Sequence, residues 1–177
     1  PVILTNRPPR EGGYFRGSES ERVRLLVQGA SSGAECEDVE FSMPPRLAAQ
    51  IREKAGRTSI LLSHHDFKRT PRPARLLALA GRMVRRPCDL LKIVTTARTL
   101  RDGLRILEFV VSSRDVVDRP VIAFAMGEAG MFTRFVGPIV GVPLVYAAAG
   151  KPTAPGQLSV RETVRVLSSL PRWEVED

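Results

Sequence analysis

Cysteine and histidine are nearly missing from this chain: it has two of each, Cys36 and Cys88, and the adjacent His64 and His65. Two distant cysteines build no disulfide framework or metal knot. Two neighbouring histidines are too few for a zinc site, so no metal is expected. A reducing, cytoplasmic setting fits this usage. Aromatic residues make up only 6% and are not interleaved with basic ones, as stacking on bases would require. The net charge of +8 therefore reads as a solvated basic surface, its arginines scattered from Arg7 to Arg172, and no nucleic-acid partner is expected. No apolar run is long enough to span a bilayer, so no membrane association is expected. The amino terminus shows no secretory signal. It also lacks an initiating methionine and begins inside an apolar run, from which a fragment or a processed product is expected. Lysine, too, is scarce: of 27 basic residues only Lys54, Lys68, Lys92 and Lys151 are lysines, and Lys92 sits among aliphatic neighbours in "DLLKIVTT".

What is present is an ordinary globular composition, 43% hydrophobic and 26% charged over 177 residues, enough for a single domain. Short apolar, β-rich runs recur at 2–5, 36–42, 59–64, 90–96, 120–126 and 143–149. Helical patterns alternate with them: 18–30, 44–55, 72–86, 99–113, 130–141 and 159–170. Ser18, Thr99 and Ser159 each precede an acidic residue three positions on, the signature of a capping box. The strands are near-continuous apolar runs, as when both faces of a parallel sheet are covered. No glycine-rich phosphate fingerprint follows the first strand, which speaks against a dinucleotide fold. Polar residues at or near strand carboxyl ends (Arg7, Glu40, His65, Lys92) are what a barrel active site uses. The expected fold is an α/β TIM barrel, of which six βα units are visible. An eight-unit barrel needs two more, expected before Pro1, so residues 1–177 read as one partial barrel domain starting at the third strand.

Lys92 on a barrel strand would be desolvated, and a lysine with a lowered pKa is a free amine able to condense with a ketone. The alternative is a lysine simply paired with Asp38 or Glu40. His65 shares a strand face with Ser63, whereas His64 faces the other way with Leu62 and Ile60. His65 is thus the candidate proton shuttle for Lys92, and His64 reads as a packing residue. "TNRPPREGG" puts Arg7 and Glu11 around a glycine turn, and "KPTAPGQLS" supplies Thr153 and Gln157. Arg134 in "GMFTRF" is either a carboxylate clamp or a snorkelling surface side chain.

These motifs together carry a resemblance. R-x-x-x-E-G-G, D-V-E, S-x-H-D-F-x-x-T-P, the strand lysine in K-I, M-G-E-x-G-x-x-x-R and A-P-G-Q-L-S occur in the order and spacing of type I 3-dehydroquinate dehydratase, from Pro1 to about Leu170. The resemblance implies a (β/α)8 barrel, a homodimer acting on a small molecule in the shikimate pathway, with no cofactor. It implies that Lys92 forms a Schiff base and that His65 is the general acid/base. Arg134 would bind the substrate carboxylate, and Arg7, Glu11, Thr153 and Gln157 would contact its hydroxyls or close the site. Met126 would pack beside the imine, and Asp38 and Glu40 would face the catalytic pair. The chain departs from the family at Thr153, where serine is usual, at His64, where asparagine or tyrosine is usual, and in the E-W-R-type strand expected among the missing units. Rival readings are a Schiff-base aldolase on the same architecture, a catalytically impaired barrel fragment, and the dehydratase part of a larger polypeptide.

Overall fold

A computed structural model describes residues 1–170. Five strands, β1 (Ile3–Thr5), β2 (Cys36–Glu40), β3 (Ser59–His65), β4 (Leu90–Thr96) and β5 (Val121–Met126), pair in sequence order as one parallel sheet. Between and after them run α1 (Glu19–Ser31), α2 (Pro45–Lys54), α3 (Pro73–Met83), α4 (Leu100–Ser113), α5 (Thr133–Ile139) and α6 (Val160–Ser169). All six expected helices are present, and their starts follow from local chemistry. Ser18 and Glu21 satisfy each other's backbone N–H groups at α1, and Ser159 and Glu162 do so at α6. At α4 the Asp102 carboxylate accepts from the Thr99 N–H at 3.1 Å. Proline opens α2 and α3, where its missing N–H costs nothing.

The register decides which side chains share a face. Glu40, Ser63, Lys92 and Ile122 lie side by side across β2–β5, and His65, Val94 and Phe124 form the next row. This is the concave side. On the opposite side Val39, Leu62, Ile93 and Ala123 pack under the helices against Leu26, Ile51, Leu76, Ile106 and Phe109, all buried. Both faces are covered, which is why the strands read as apolar runs and not as alternations.

Two expectations need correction. Residues 143–149 do not form a sixth strand; the segment makes one isolated parallel bridge, Ala148 with Ser159. Pro143 has no N–H to give a ladder. The free edge of β5 is also partly occupied, because the Ala125 N–H donates to the Thr133 hydroxyl at 3.0 Å. Nor is Lys92 at the carboxyl end of its strand. It is the third of seven residues, since β4 continues past it to pair Val94, Thr95 and Thr96 with β5.

Glu37 is an anomaly in the helix-facing layer. It is fully buried beside Gly29 of α1, and its carboxylate makes no hydrogen bond of ordinary geometry, the nearby Ala30 N–H offsetting burial only in part. Burial pushes its pKa to about 7. The folded pKa lies above that of an unfolded glutamate, so the folded state binds the extra proton. Its stability is retained at acid pH and falls as pH rises through about 7. Glutamine has the same shape and carries no charge at any pH, so it escapes the cost of ionising in an apolar layer. Glu37→Gln is expected to raise the melting temperature by several degrees at pH 8.5 and to change it little at pH 5. Equal changes at the two pH values in thermal melts would show that Glu37 titrates alike in the folded and unfolded chains.

Candidate active site

The concave face carries three ionisable groups in direct contact at its centre, Lys92, Asp38 and Arg7. Lys92, 6% exposed, donates from Nζ to Asp38 Oδ2 at 3.0 Å. Asp38, fully buried, also accepts from the Ser63 hydroxyl and from Arg7 NH2, each at 2.5 Å. Burial raises the pKa of Asp38, but Lys92 and Arg7 outweigh it and hold the carboxylate below its usual range. For Lys92, burial and the Arg7 guanidinium push the amine's pKa down, and Asp38 opposes them only in part. A pair in which the acid stays ionised and the amine loses its proton more readily than free lysine is suited to nucleophilic attack. Of the two sequence readings for Lys92, the structure shows features of both: it is paired with Asp38, and it also faces a cavity.

His65 ends β3 and presents its ring to the same cavity. Burial lowers its pKa most, with Arg7 and Lys92 adding to the effect, while Glu11 opposes it. The imidazole is thus neutral at physiological pH. Its Nδ1 has two neighbours that require different tautomers: Arg7 NH1 at 2.8 Å can only donate to it, and Glu11 Oε2 at 3.1 Å can only accept. Donation to Glu11 leaves Nε2 as a free base, and a proton taken there gives an imidazolium that still donates from Nδ1 to Glu11 and can return the proton from Nε2. Acceptance from Arg7 is the alternative neutral tautomer, in which Nε2 carries the hydrogen and is no base. Glu11 itself is raised by burial, but hydrogen bonds from His65 and Ser42 bring it below the usual carboxylate range. His64 is on the far side of the strand, level with Ile93.

Arg7 and Glu11 reach these positions through a tight turn. A 3-10 turn at Pro9–Glu11 ends in Gly12, whose φ of 80° and contact with the Phe67 ring leave no room for a side chain. Phe67 in turn stacks on His65 at 6.2 Å between ring centres. Arg134 is the second residue of α5, just past the turn that follows β5. Thr133 bridges Ala125 and Gly130, and this fixes the start of α5. Arg134 is 4% exposed; its guanidinium lies 4.1 Å from the centre of the Phe124 ring, and its Nε and NH2 groups have no partner. Burial lowers its pKa to about 10, so it remains a cation at neutral pH. A buried cation with free donors beside a cavity calls for an anionic ligand.

The cavity is about 510 Å³ and is lined by Arg7, Glu11, His65, Lys92, Met126, Arg134, Thr153 and Gln157, among others. Asp38 and Glu40 lie beneath, both fully buried. Every residue singled out from the sequence therefore gathers at one place. Thr153 donates from N–H and hydroxyl to Gln157 Oε1 at 2.8 and 3.1 Å, so the 150–157 loop is braced within itself over the mouth. Sequence reasoning missed Tyr146, whose ring centre is 4.3 Å from Lys92 Nζ, and Phe124 beneath Arg134. Tyr146 was hidden in a segment read as an ordinary strand. It also missed Arg22, fully buried on α1, although its helical spacing with Val23 and Leu26 placed a charge on an apolar face.

The type I 3-dehydroquinase family model matches residues 1–172. A 3-dehydroquinate dehydratase of Dehalococcoides mccartyi is 34% identical over 174 residues, covering 96% of this chain and 76% of that protein. One from Methanothermobacter thermautotrophicus is 36% identical over 170 residues, covering 96% of this chain and 73% of that protein. Among solved structures, the type I 3-dehydroquinate dehydratase of Clostridium difficile, crystallised with covalently modified comenic acid, superposes with a TM-score of 0.88. Its identity is 30%, over 95% of this chain and 68% of that one.

Proposed function

The chain belongs to the type I 3-dehydroquinase family and dehydrates 3-dehydroquinate, and from that premise we propose that Lys92 and His65 carry the reaction through a Schiff base. The observation that carries this reading is the Lys92 amine. It is buried, depressed in pKa, 3.0 Å from an ionised Asp38, and open to a cavity that His65 and Arg134 also line.

In the proposed sequence Lys92 Nζ adds to the substrate ketone and water leaves, giving an iminium that draws electrons from the adjacent carbon. Asp38 and the face of Tyr146, 4.3 Å away, both favour that cation. His65 Nε2, freed when Nδ1–H donates to Glu11, removes the proton from the carbon. The enamine then expels the β-hydroxyl, which takes the same proton back from the imidazolium and departs as water. Hydrolysis of the product imine restores Lys92 and releases 3-dehydroshikimate. A single histidine serves both transfers when the two bonds broken lie on one side of the ring, so the elimination is syn.

Arg7, Glu11, Thr153 and Gln157 are assigned to the substrate hydroxyls and to closure of the site, Met126 to packing beside the imine, and Arg134 to the carboxylate. The five-stranded sheet and the segment 143–149 are assigned to the last six units of an eight-unit barrel, with β1 in the place of the third strand. The last seven residues of the expected domain, 171–177, lie outside the described residues. A homodimer in the cytoplasm is part of the same proposal. The enzyme acts on a small molecule, and no described helix is long and apolar enough to cross a membrane.

The test is reductive trapping. Borohydride added with 3-dehydroquinate is expected to leave a mass adduct on the peptide containing Lys92; an adduct on another lysine, or none from an active preparation, would falsify the assignment. A second expectation concerns Arg134. A hydrogen bond to a charged group contributes roughly 1.5 to 3 kcal/mol. Arg134→Ala is therefore expected to lower kcat/KM at least about tenfold, and Arg134→Lys not to restore it, because an ammonium lacks the two-pronged geometry. An analogue without the carboxylate should barely distinguish the variants from the parent. Unchanged kcat/KM in Arg134→Ala would remove the carboxylate from the reading.

A further inference from the structure

Arg22 is the largest fully buried side chain and the only arginine among those below 2% exposure in the described residues. On α1 it takes a position that the neighbouring Val23 and Leu26 mark as core. A guanidinium there is costly to desolvate and must be matched by acceptors. It has three. It donates to Glu19 Oε2 at 2.9 Å and to the backbone oxygen of Asn6 at 3.1 Å, and it makes a very close ion pair with Glu40. Glu19 is shared with Arg10 at the surface, at 2.8 Å. Glu40 leads inward: its other oxygen is 3.7 Å from Arg7, which itself binds Asp38 at 2.5 Å and His65 at 2.8 Å. Charges of alternating sign thus run from Arg10 through Glu19, Arg22, Glu40, Arg7 and Asp38 to Lys92.

We propose that Arg22 is a positioning residue of the active site, one that holds the Glu40 carboxylate so that Arg7 remains committed to Asp38 and His65. The proposal rests on the reading of Lys92 and His65 given above. Its physical content is a competition. Arg7 has three acidic or basic neighbours on its inner side, and Glu40 is the one it reaches least well, because Arg22 already holds that carboxylate. The Asn6 carbonyl ties the same guanidinium to the residue before Arg7, so Arg22 fixes both the backbone that carries Arg7 and the rival for its side chain.

The charged groups that face Glu40 are Arg22 on α1, Arg7 in the loop after β1, Asp38 on its own strand and, more distantly, Lys92 on β4; across the ladder, Ser63 of β3 is neutral. With Arg22 gone, Arg7 is the sole cation able to approach Glu40 closely. It turns toward Glu40 and away from His65 and Asp38. His65 then loses the guanidinium that adds to burial in lowering its pKa, and Lys92 is left alone with Asp38. Both hold their protons to higher pH.

The test uses the chain's scarcity of histidine. With only His64 and His65 present, the His65 ring is readily followed by NMR titration, a measurement that requires no catalysis. It therefore reports on Arg22 even if the Schiff-base reading fails, and that failure shows separately in the borohydride trap. Arg22→Met and Arg22→Gln are expected to raise the titration midpoint of His65 by about one pH unit. The acid limb of kcat/KM should move up with it. Glutamine keeps donors for the Asn6 carbonyl and Glu40 while removing the charge, so it serves if the methionine variant does not fold. In a Glu40→Gln background the competitor is gone, and Arg22→Gln should shift the midpoint by less than a third as much. A folded Arg22→Gln protein with an unshifted His65, or an equal shift in the Glu40→Gln background, overturns the proposal.

Discussion

Lys92→Met is expected to abolish turnover of 3-dehydroquinate, by on the order of ten-thousand-fold or more, and to leave no borohydride-trapped adduct. The size follows from what the amine does. It makes the bond that turns a ketone into an electron sink, and no other group near the cavity is a nucleophile of that kind: among the described residues Lys54, Lys68 and Lys151 do not line it. Methionine matches the length and apolar stem of lysine, so packing against Tyr146 is kept. The variant should also fold. Asp38 would lose one cation but keep Arg7 at 2.5 Å and the Ser63 hydroxyl at 2.5 Å, and so is not stranded as a bare buried charge. Production of 3-dehydroshikimate, followed by absorbance, and the intact mass after borohydride are the two readouts. Residual turnover within about a hundredfold of the parent would move the chemistry away from Lys92.

His65→Ala is expected to cut kcat by roughly a hundred- to ten-thousand-fold, the range for a positioned general acid/base, while imine formation continues. The two steps separate because Lys92 and Arg134 remain in place. Substrate should therefore accumulate as the covalent adduct, and borohydride should trap the variant at least as fully as the parent. His64→Asn is expected to stay within a few-fold of the parent, since His64 is one residue along the strand and so on its other face. In the parent, the depressed His65 pKa places the acid limb of kcat/KM below the pH at which a free imidazole titrates. Protonation on that limb removes the base, and activity falls as pH drops through the His65 pKa. Reversed effects at the two histidines would mean that the register is wrong by one residue.

How much of this was legible beforehand differs from element to element. The helices were, because their signals are local: Ser18 with Glu21 and Ser159 with Glu162 close capping boxes within four residues. Five of the six apolar runs read as strands do form strands; the sixth does not, because a strand exists only if a neighbour offers its edge. In 143–149, Pro143 and the use of the Ala125 N–H by Thr133 decided otherwise. The separation of His65 from His64 needed nothing beyond the two-residue period of a strand.

By itself, the sequence determined which residues are chemically capable: a lysine among aliphatic residues, a histidine on the polar face of its strand, an arginine within an apolar helix turn. Their order and spacing were enough to indicate the family. Tertiary structure alone decided who neutralises whom. Asp38, and not Glu40, is the partner of Lys92, because parallel register carries Ser63 and Lys92 level with Glu40 while Asp38 sits one pleat below, within reach of Nζ at 3.0 Å. Glu40 is paired instead with Arg22, 18 positions earlier on a helix, and Arg7 is left to bridge Asp38 and His65. Tyr146 reaches Lys92 from a segment 54 residues later in sequence. Electrostatic interactions depend on distances of a few ångströms and on burial, and neither is set until the strands are in register and the helices have closed over them.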